Sequence, residues 1–329
     1  MGSKFLHIVS PLIESDELKK FTGNRRVFLK MDNNQVPGSF KIRGIGRRCQ
    51  QAKKDGFNGI VCPSGGNAGI AAAYAARELG LRATIVIFGT SSSEVINRIE
   101  RYGAEVVLSG NSSSEIIADA ERLAKVNNFE LVHPYNHPTV WEGHSSLIDE
   151  IHDQLEDEIP SLIVTCCGGG GLFCGIMLGL ERKGWLNTGV LVVETSGARC
   201  FNDMIENGFK PKFRHCDSIA KTLSAVEVCQ RAADLSRNSS MPIFSRLVED
   251  DEAIRAVLRF ADEQRVLIEV SCATVLAAIH TGMIAEIFEK NPHLPSGPVV
   301  LVVCGGNDIC VRKLVEWAEK YPLESSETS

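Results

Sequence analysis

A lysine at the opening of a helix, flanked by apolar residues, is an unusual placement. The stretch Pro37-Gly38-Ser39-Phe40-Lys41-Ile42-Arg43-Gly44 provides one. Pro37 and Gly38 interrupt whatever precedes them, and Ser39 is positioned to cap a helix through its hydroxyl. Lys41 then falls in the first turn, among Phe40, Ile42 and Ile45. The positive end of the helix dipole and the apolar neighbours both disfavour an ammonium ion. The expected consequence is a lowered pKa and a nucleophilic amine. A surface lysine whose stem covers Phe40 accounts for the same residues, so the choice depends on the other loops.

Two of those loops suit anions. Gly168, Gly169, Gly170 and Gly171 follow a strand that ends in Cys166-Cys167 and open the next helix. Four glycines let backbone N–H groups turn toward one anion, reinforced by the helix N-terminus, and phosphate is the natural occupant. A P-loop would need Lys and Ser/Thr next, and Leu172 stands there instead. No G-x-G-x-x-G runs across 168–175. Glu194, at the end of the next strand, is nonetheless where a ribose-binding acid belongs, so a dinucleotide remains a second reading. A tight strand-to-helix turn is the structural alternative. Ser64-Gly65-Gly66-Asn67-Ala68-Gly69 offers a hydroxyl, an amide and exposed N–H groups to a carboxylate, or serves as a helix cap. Cys304-Gly305-Gly306-Asn307 places a thiol at a strand end, either as an inert core cysteine or facing a ring nitrogen. His133, His137 and His144 lack metal-site spacing, because Pro134 and Pro138 keep the first two off a common helix face. No G-x-S-x-G elbow is present.

These loops sit between short β-branched runs and helical periods. Strands are expected at 59–62, 83–88, 105–108, 130–132, 161–165, 190–193 and 299–303, with helices between them. Among the helices are 92–102, 113–126 and 141–155. Alternation of this kind gives α/β architecture with mostly parallel sheets covered on both faces. Two lobes are expected, a small one over 37–142 and a large one from 1–36 plus 143–329, with the site in the cleft between them. The tail 324–329 is polar and expected to fray. The 329 residues carry 44% hydrophobic and 23% charged side chains and a net charge of −6, with a pI near 5.8. That balance argues against nucleic acid or a membrane surface as partner. The opening residues lack a signal-peptide core, and the 11 cysteines sit mostly in apolar runs without a C-x-x-C pair. Reduced thiols in the cytoplasm are the expectation.

A phosphate cradle, a carboxylate cradle and an activatable lysine together suit pyridoxal phosphate acting on a small amino acid. The motifs at 39–44, 64–69, 168–171 and 304–306 resemble, in order and spacing, those of the serine/threonine dehydratase family. Its fold is of the tryptophan-synthase-β type (fold type II). Ala68 after Asn67, and cysteine at the ring-nitrogen position, make the animal-type L-serine dehydratases the most similar branch. The resemblance implies that Lys41 carries the cofactor as a Schiff base and then removes the substrate α-proton. It implies that Gly168, Gly169, Gly170 and Gly171 hold the phosphate, Asn67 the ring 3′-oxygen, Phe40 one ring face and Cys304 the ring nitrogen. Ser64, Gly65, Gly66, Asn67 and Ala68 would bind the substrate carboxylate. The products would be pyruvate and ammonia from L-serine, and 2-oxobutanoate and ammonia from L-threonine. A homodimer is implied, with a monovalent cation, K+, near Gly168, Glu194, Ala198, Cys200, Leu223 and Ala225.

The sequence departs from that pattern in places. Cys200 replaces the usual serine ligand, and a thiol suits a hard cation poorly. Gly65 stands where many serine dehydratases have alanine, which is expected to enlarge the substrate pocket and relax the choice between serine and threonine. Val270, Ala273 and Asn307 replace a usual proline, glycine and serine. A weakly active or inactive pyridoxal phosphate-binding homologue is therefore an alternative. So is serine racemase-type activity, with Ser64 as the second acid–base group.

Overall fold

The computed structural model describes residues 5–212 and 215–323, so the tail 324–329 lies outside the described residues. Along the chain, β1 (Leu12–Glu14) and β2 (Val27–Met31) precede the lysine helix α1 (Lys41–Lys54). Then come β3 (Gly59–Cys62), α2 (Asn67–Leu79), β4 (Arg82–Phe88), α3 (Ser93–Glu100), β5 (Glu105–Ser109), α4 (Ser113–Asn127) and β6 (Glu130–Leu131). The long helix α5 (Pro138–Gln154) leads into β7 (Leu162–Cys166), α6 (Gly171–Lys183), β8 (Gly189–Thr195) and α7 (Cys200–Glu206). The chain closes with α8 (Gln230–Asn238), β9 (Ile243–Val248), α9 (Asp250–Gln264), α10 (Val270–His280), α11 (Met283–Lys290), β10 (Val299–Val303) and α12 (Val311–Lys320).

The strands form two sheets. One has six strands in the order β1-β2-β10-β7-β8-β9, and the other four in the order β5-β4-β3-β6. Among the described residues, only the β1–β2 strand pair is antiparallel. The central strands β2, β7, β8 and β10 are buried along their whole length, which is why β7, β8 and β10 read as largely apolar runs. Strands β1, β2 and β9 escaped the sequence reading. The pattern in β2, Val27-Phe28-Leu29-Lys30-Met31, is interrupted by a lysine, yet Lys30 is fully buried.

That lysine belongs to an ion network which fixes α1. Arg43 pairs with Asp32 and with Glu150 at 2.6 Å each, and Lys30 reaches Glu150 at 2.7 Å. Burial would raise the Asp32 pKa, but the Arg43 guanidinium outweighs it and holds the carboxyl near 2. The network ties α1 to the end of β2 and to α5. Glycines then allow close helix contact. A Cβ on Gly44 would lie 2.5 Å from the Val140 carbonyl, and one on Gly143 would lie 2.4 Å from the Arg43 carbonyl. Lys41 is thus carried on a helix whose depth and rotation are both set.

Two helix starts differ from expectation. The capping residue of α1 is Phe40, not Ser39, and no side chain caps it. Ser39 instead bridges to Gly305, leaving its hydroxyl buried without a protein partner. Helix α5 starts at Pro138 rather than Trp141. His137 caps it by accepting the Thr139 N–H at 3.1 Å, and proline at the first helical position has no N–H to leave unpaired.

Candidate active site

The chain folds back so that two short segments zip together around Lys41. Phe40 N–H donates to the Cys304 carbonyl at 3.0 Å, Gly306 N–H to the Gly38 carbonyl at 2.8 Å, and the Asn307 side chain to the Pro37 carbonyl at 3.0 Å. Gly305 permits this approach, since its φ is +83° and a Cβ there would meet the Gly38 carbonyl at 2.4 Å. The lysine loop is therefore held by the loop after β10. Lys41 Nζ donates to the Pro134 carbonyl at 2.9 Å. Burial lowers its pKa from 10.5 to about 8. Cys62, Cys166, Cys304 and Glu269 are the groups near enough to act on its charge. The surface-lysine alternative is excluded.

Beneath the lysine loop, the ring of Phe40 lies 5.2 Å from Nζ and 5.0 Å from the imidazole of His144. His144 is fully buried with both ring nitrogens unpartnered, and burial pushes its pKa well down, so it is neutral. His133 accepts the Tyr135 and Asn136 N–H groups through Nδ1 at 3.3 and 2.9 Å.

The tetraglycine runs from the end of β7 into α6. Gly170, at φ +89°, is the residue before the helix. The first-turn N–H groups of α6 have no helical acceptors and are available to an anion. Neighbours press closely on this loop. A Cβ on Gly169 would lie 2.4 Å from the Tyr135 ring, and one on Gly171 would lie 3.0 Å from Tyr135 Cβ. Tyr135, in the loop that also receives Lys41, was not singled out from sequence because its role depends on a contact across the chain.

At the start of α2, Asn67 is buried between two partners. Its Nδ2 donates to both oxygens of Glu269, at 3.1 and 3.2 Å, and its Oδ1 accepts two N–H groups of Asn307. Thr222 Oγ1 and the Asp308 N–H also donate to Glu269. Burial raises the Glu269 pKa, and these donors oppose that. Sequence reading passed over Glu269 as a site residue. Ser64 is half-buried, and its Oγ accepts the Gly66 N–H at 3.3 Å. Gly66 is exposed and Ala68 buried. Gly69 is obligatory, because a Cβ would lie 1.8 Å from the Ser64 carbonyl.

One expectation is corrected here. A Cβ on Gly65 points to Ile87 Cγ2 at 3.2 Å and Val95 Cγ1 at 3.5 Å. The missing methyl therefore relaxes packing of the loop against β4 and α3, where the expectation had been added pocket space.

Cys304 lies against Cys166, with sulfurs 3.6 Å apart, and Cys272 accepts the Gly305 N–H. Contact with the Cys166 and Cys272 thiols, together with burial, pushes the Cys304 pKa well up, so it is a neutral thiol. Beyond the tetraglycine, Cys200 Sγ donates to the Gly168 carbonyl at 3.1 Å and lies 3.7 Å from Glu194. Thr222 and Leu223 pack on Gly168, Ala225 N–H donates to the Leu223 carbonyl, and Ala198 bridges to Thr195. Glu194 is fully buried and accepts the Phe201 and Asn202 N–H groups at 2.9 and 2.8 Å. Burial raises its pKa to about 8 against those bonds. Its oxygens face the start of α7, which removes the support for a dinucleotide ribose.

The donor set fits pyridoxal phosphate. An amine of lowered pKa lies near an aromatic ring, a neutral thiol and the buried Glu269 that holds the Asn67 amide, and the loop that receives it also backs the glycine anion cradle. Comparisons with known proteins agree. The family described as "Pyridoxal-phosphate dependent enzyme" matches residues 4–305. A human protein named serine dehydratase-like is 44% identical over 94% of this chain and 93% of its own length. Human L-serine dehydratase/L-threonine deaminase is 39% identical over 95% of each. The crystal structure of a fungal L-serine ammonia-lyase from Rhizomucor miehei superposes with a TM-score of 0.87 at 34% identity, covering 97% of this chain and 100% of that one. The fold is that of the fold-type II, tryptophan-synthase-β-like enzymes, and the chain belongs to the pyridoxal-phosphate-dependent enzyme family, with serine dehydratases and threonine deaminases as close relatives.

Proposed function

We propose that this protein is an L-serine/L-threonine ammonia-lyase: water is eliminated across Cα–Cβ and the enamine product takes up one water on hydrolysis, giving pyruvate and ammonia from L-serine and 2-oxobutanoate and ammonia from L-threonine. The observation that carries the reading is the Lys41 amine, lowered to about 8 and bonded to the carbonyl of Pro134, the residue before the tyrosine that backs the tetraglycine. Pyridoxal phosphate, when bound, supplies the electron sink that makes loss of the α-proton accessible. Lys41 would hold it covalently, Gly168 to Gly171 its phosphate, Asn67 its ring oxygen, Phe40 a ring face and Cys304 its ring nitrogen. The remaining chemistry belongs to the chain. Lys41, whose lowered pKa leaves a substantial neutral fraction near pH 8, accepts the substrate Cα proton at Nζ. Ser64 and the N–H groups of Gly65 to Ala68 bind the substrate carboxylate and so orient the Cα–H bond toward that amine. Cys304, kept neutral by the neighbouring thiols, does not donate a full proton to the ring. A neutral thiol at that position would suit chemistry that expels the β-hydroxyl over chemistry that stores charge in the ring.

The reading extends to a homodimer, to the cytoplasm, and to a monovalent cation near Gly168, Glu194, Ala198, Cys200, Leu223 and Ala225. Those features follow from likeness to serine dehydratases. Among the described residues no single helix is long and apolar enough to cross a membrane. Burial of Glu194 supports the cation, since a buried carboxylate gains from a counter-charge. Release of pyruvate from L-serine, followed in a coupled assay with and without potassium, tests the activity. No pyruvate from protein loaded with cofactor would overturn it.

A further inference from the structure

A carboxamide carries no preference for which end faces a ligand, so its surroundings decide. The amide of Asn67 is held at both ends. Its Oδ1 accepts the Asn307 backbone N–H at 2.9 Å and Asn307 Nδ2 at 2.9 Å. Its Nδ2 donates to the two Glu269 oxygens at 3.1 and 3.2 Å. Glu269 is an acceptor here, because Thr222 Oγ1 and the Asp308 N–H also converge on it. A 180° flip of the Asn67 amide would set Oδ1 against that carboxyl and Nδ2 against two N–H donors. Every bond would be lost and each replaced by a like-dipole contact. One Nδ2 hydrogen points at Glu269, and the other is left for an acceptor outside this chain.

Asn307 does more than hold Oδ1. Its Nδ2 also donates to the Pro37 carbonyl at 3.0 Å, four residues before Lys41, and its own carbonyl accepts from Arg98 on α3. The side chain of Asn307 therefore joins the Asn67 loop to the lysine loop, and its backbone carbonyl ties that junction to α3. We propose that Asn307 is a positioning residue that sets the orientation of the Asn67 amide, so that an N–H and not a carbonyl faces the ring oxygen of the cofactor. This rests on the pyridoxal phosphate reading above. Asn307, a departure from the family pattern, is by this account a functional replacement and not a lesion.

The test uses cofactor affinity of the apo-protein, read by quenching of tryptophan fluorescence, and the pH at which the visible band of the loaded protein titrates. Asn307→Asp keeps the shape but replaces the Nδ2 donor with an oxygen facing Asn67 Oδ1. It is expected to weaken cofactor binding about tenfold and to move the titration midpoint, since one charge-adjacent hydrogen bond is reversed. Asn307→Ala keeps the backbone donor and is expected to weaken binding about threefold, which keeps the test open if the aspartate variant does not fold. In an Asn67→Ala background, either substitution is expected to weaken binding by clearly less than in the wild type, leaving only the part carried by the Pro37 contact. Unchanged affinity and midpoint in both variants would overturn the proposal, as would a loss that persists in full without the Asn67 amide. A wild type that takes up no cofactor would instead overturn the reading beneath it.

Discussion

Lys41 Nζ donates to the carbonyl of Pro134 at 2.9 Å, one residue before the tyrosine whose ring backs Gly169. The loop 133–137 therefore touches both the amine and the anion cradle. Because Lys41 titrates near 8 in the fold and near 10.5 when unfolded, its ammonium is disfavoured in the native state. Fewer protons are bound by the folded than by the unfolded form between those values, so stability of the cofactor-free protein should rise with pH from about 8 to about 10.5. Below pH 8 both forms are protonated and this contribution is flat. Thermal unfolding of the apo-protein across that range should show the rise, and Lys41→Ala should remove it.

Gly169 faces a ring, and that makes a sharp substitution. Gly169→Ala would place a methyl inside the Tyr135 ring's contact distance and displace the loop, costing about 1–3 kcal/mol. Cofactor affinity should fall with it. Tyr135→Ala in the same chain should restore part of the affinity, as measured by fluorescence titration. No recovery would mean that Gly169 matters for backbone conformation and not for this contact.

Gly65→Ala should act on packing. Its methyl meets Ile87 Cγ2 and Cβ more tightly than ordinary contact, so a loss of about 1 kcal/mol is expected. The ratio of activities on serine and threonine should stay within about twofold, because the methyl points toward the sheet and one methyl in a pocket discriminates only modestly. A larger change in that ratio would return Gly65 to the substrate side.

Cys200 gives the cation question a chemical test. Its thiol donates to the Gly168 carbonyl and is a poor ligand for a hard ion. Cys200→Ser supplies an oxygen at the same position and should increase the rise in melting temperature caused by potassium over that caused by tetramethylammonium. Equal responses of the two proteins would remove Cys200 from the cation's surroundings.

What the sequence made legible was local. Lys41, the four glycines and the Ser64–Gly69 turn each announce themselves within six residues, at junctions between apolar strands and helical periods. Glu269 did not, because it reaches Asn67 across 202 residues and sits in an apolar helix start with no motif around it. Tyr135 is visible only once the loop after β6 is laid over the glycines. Strand β2 was hidden by Lys30, whose burial depends on Glu150 across 120 residues. Ser39 failed as a cap for a related reason. Its backbone is engaged by Gly305, and local capping preference yields to pairing with a distant strand end.

The absorbance spectrum of the purified protein with pyridoxal phosphate, compared between wild type and Lys41→Ala, tests the central claim most directly. The account predicts a visible Schiff-base band in the wild type that survives dialysis, bleaches on borohydride reduction with covalent retention at Lys41, and is absent from Lys41→Ala. A wild type without the band, or a Lys41→Ala variant with the same band, would contradict it.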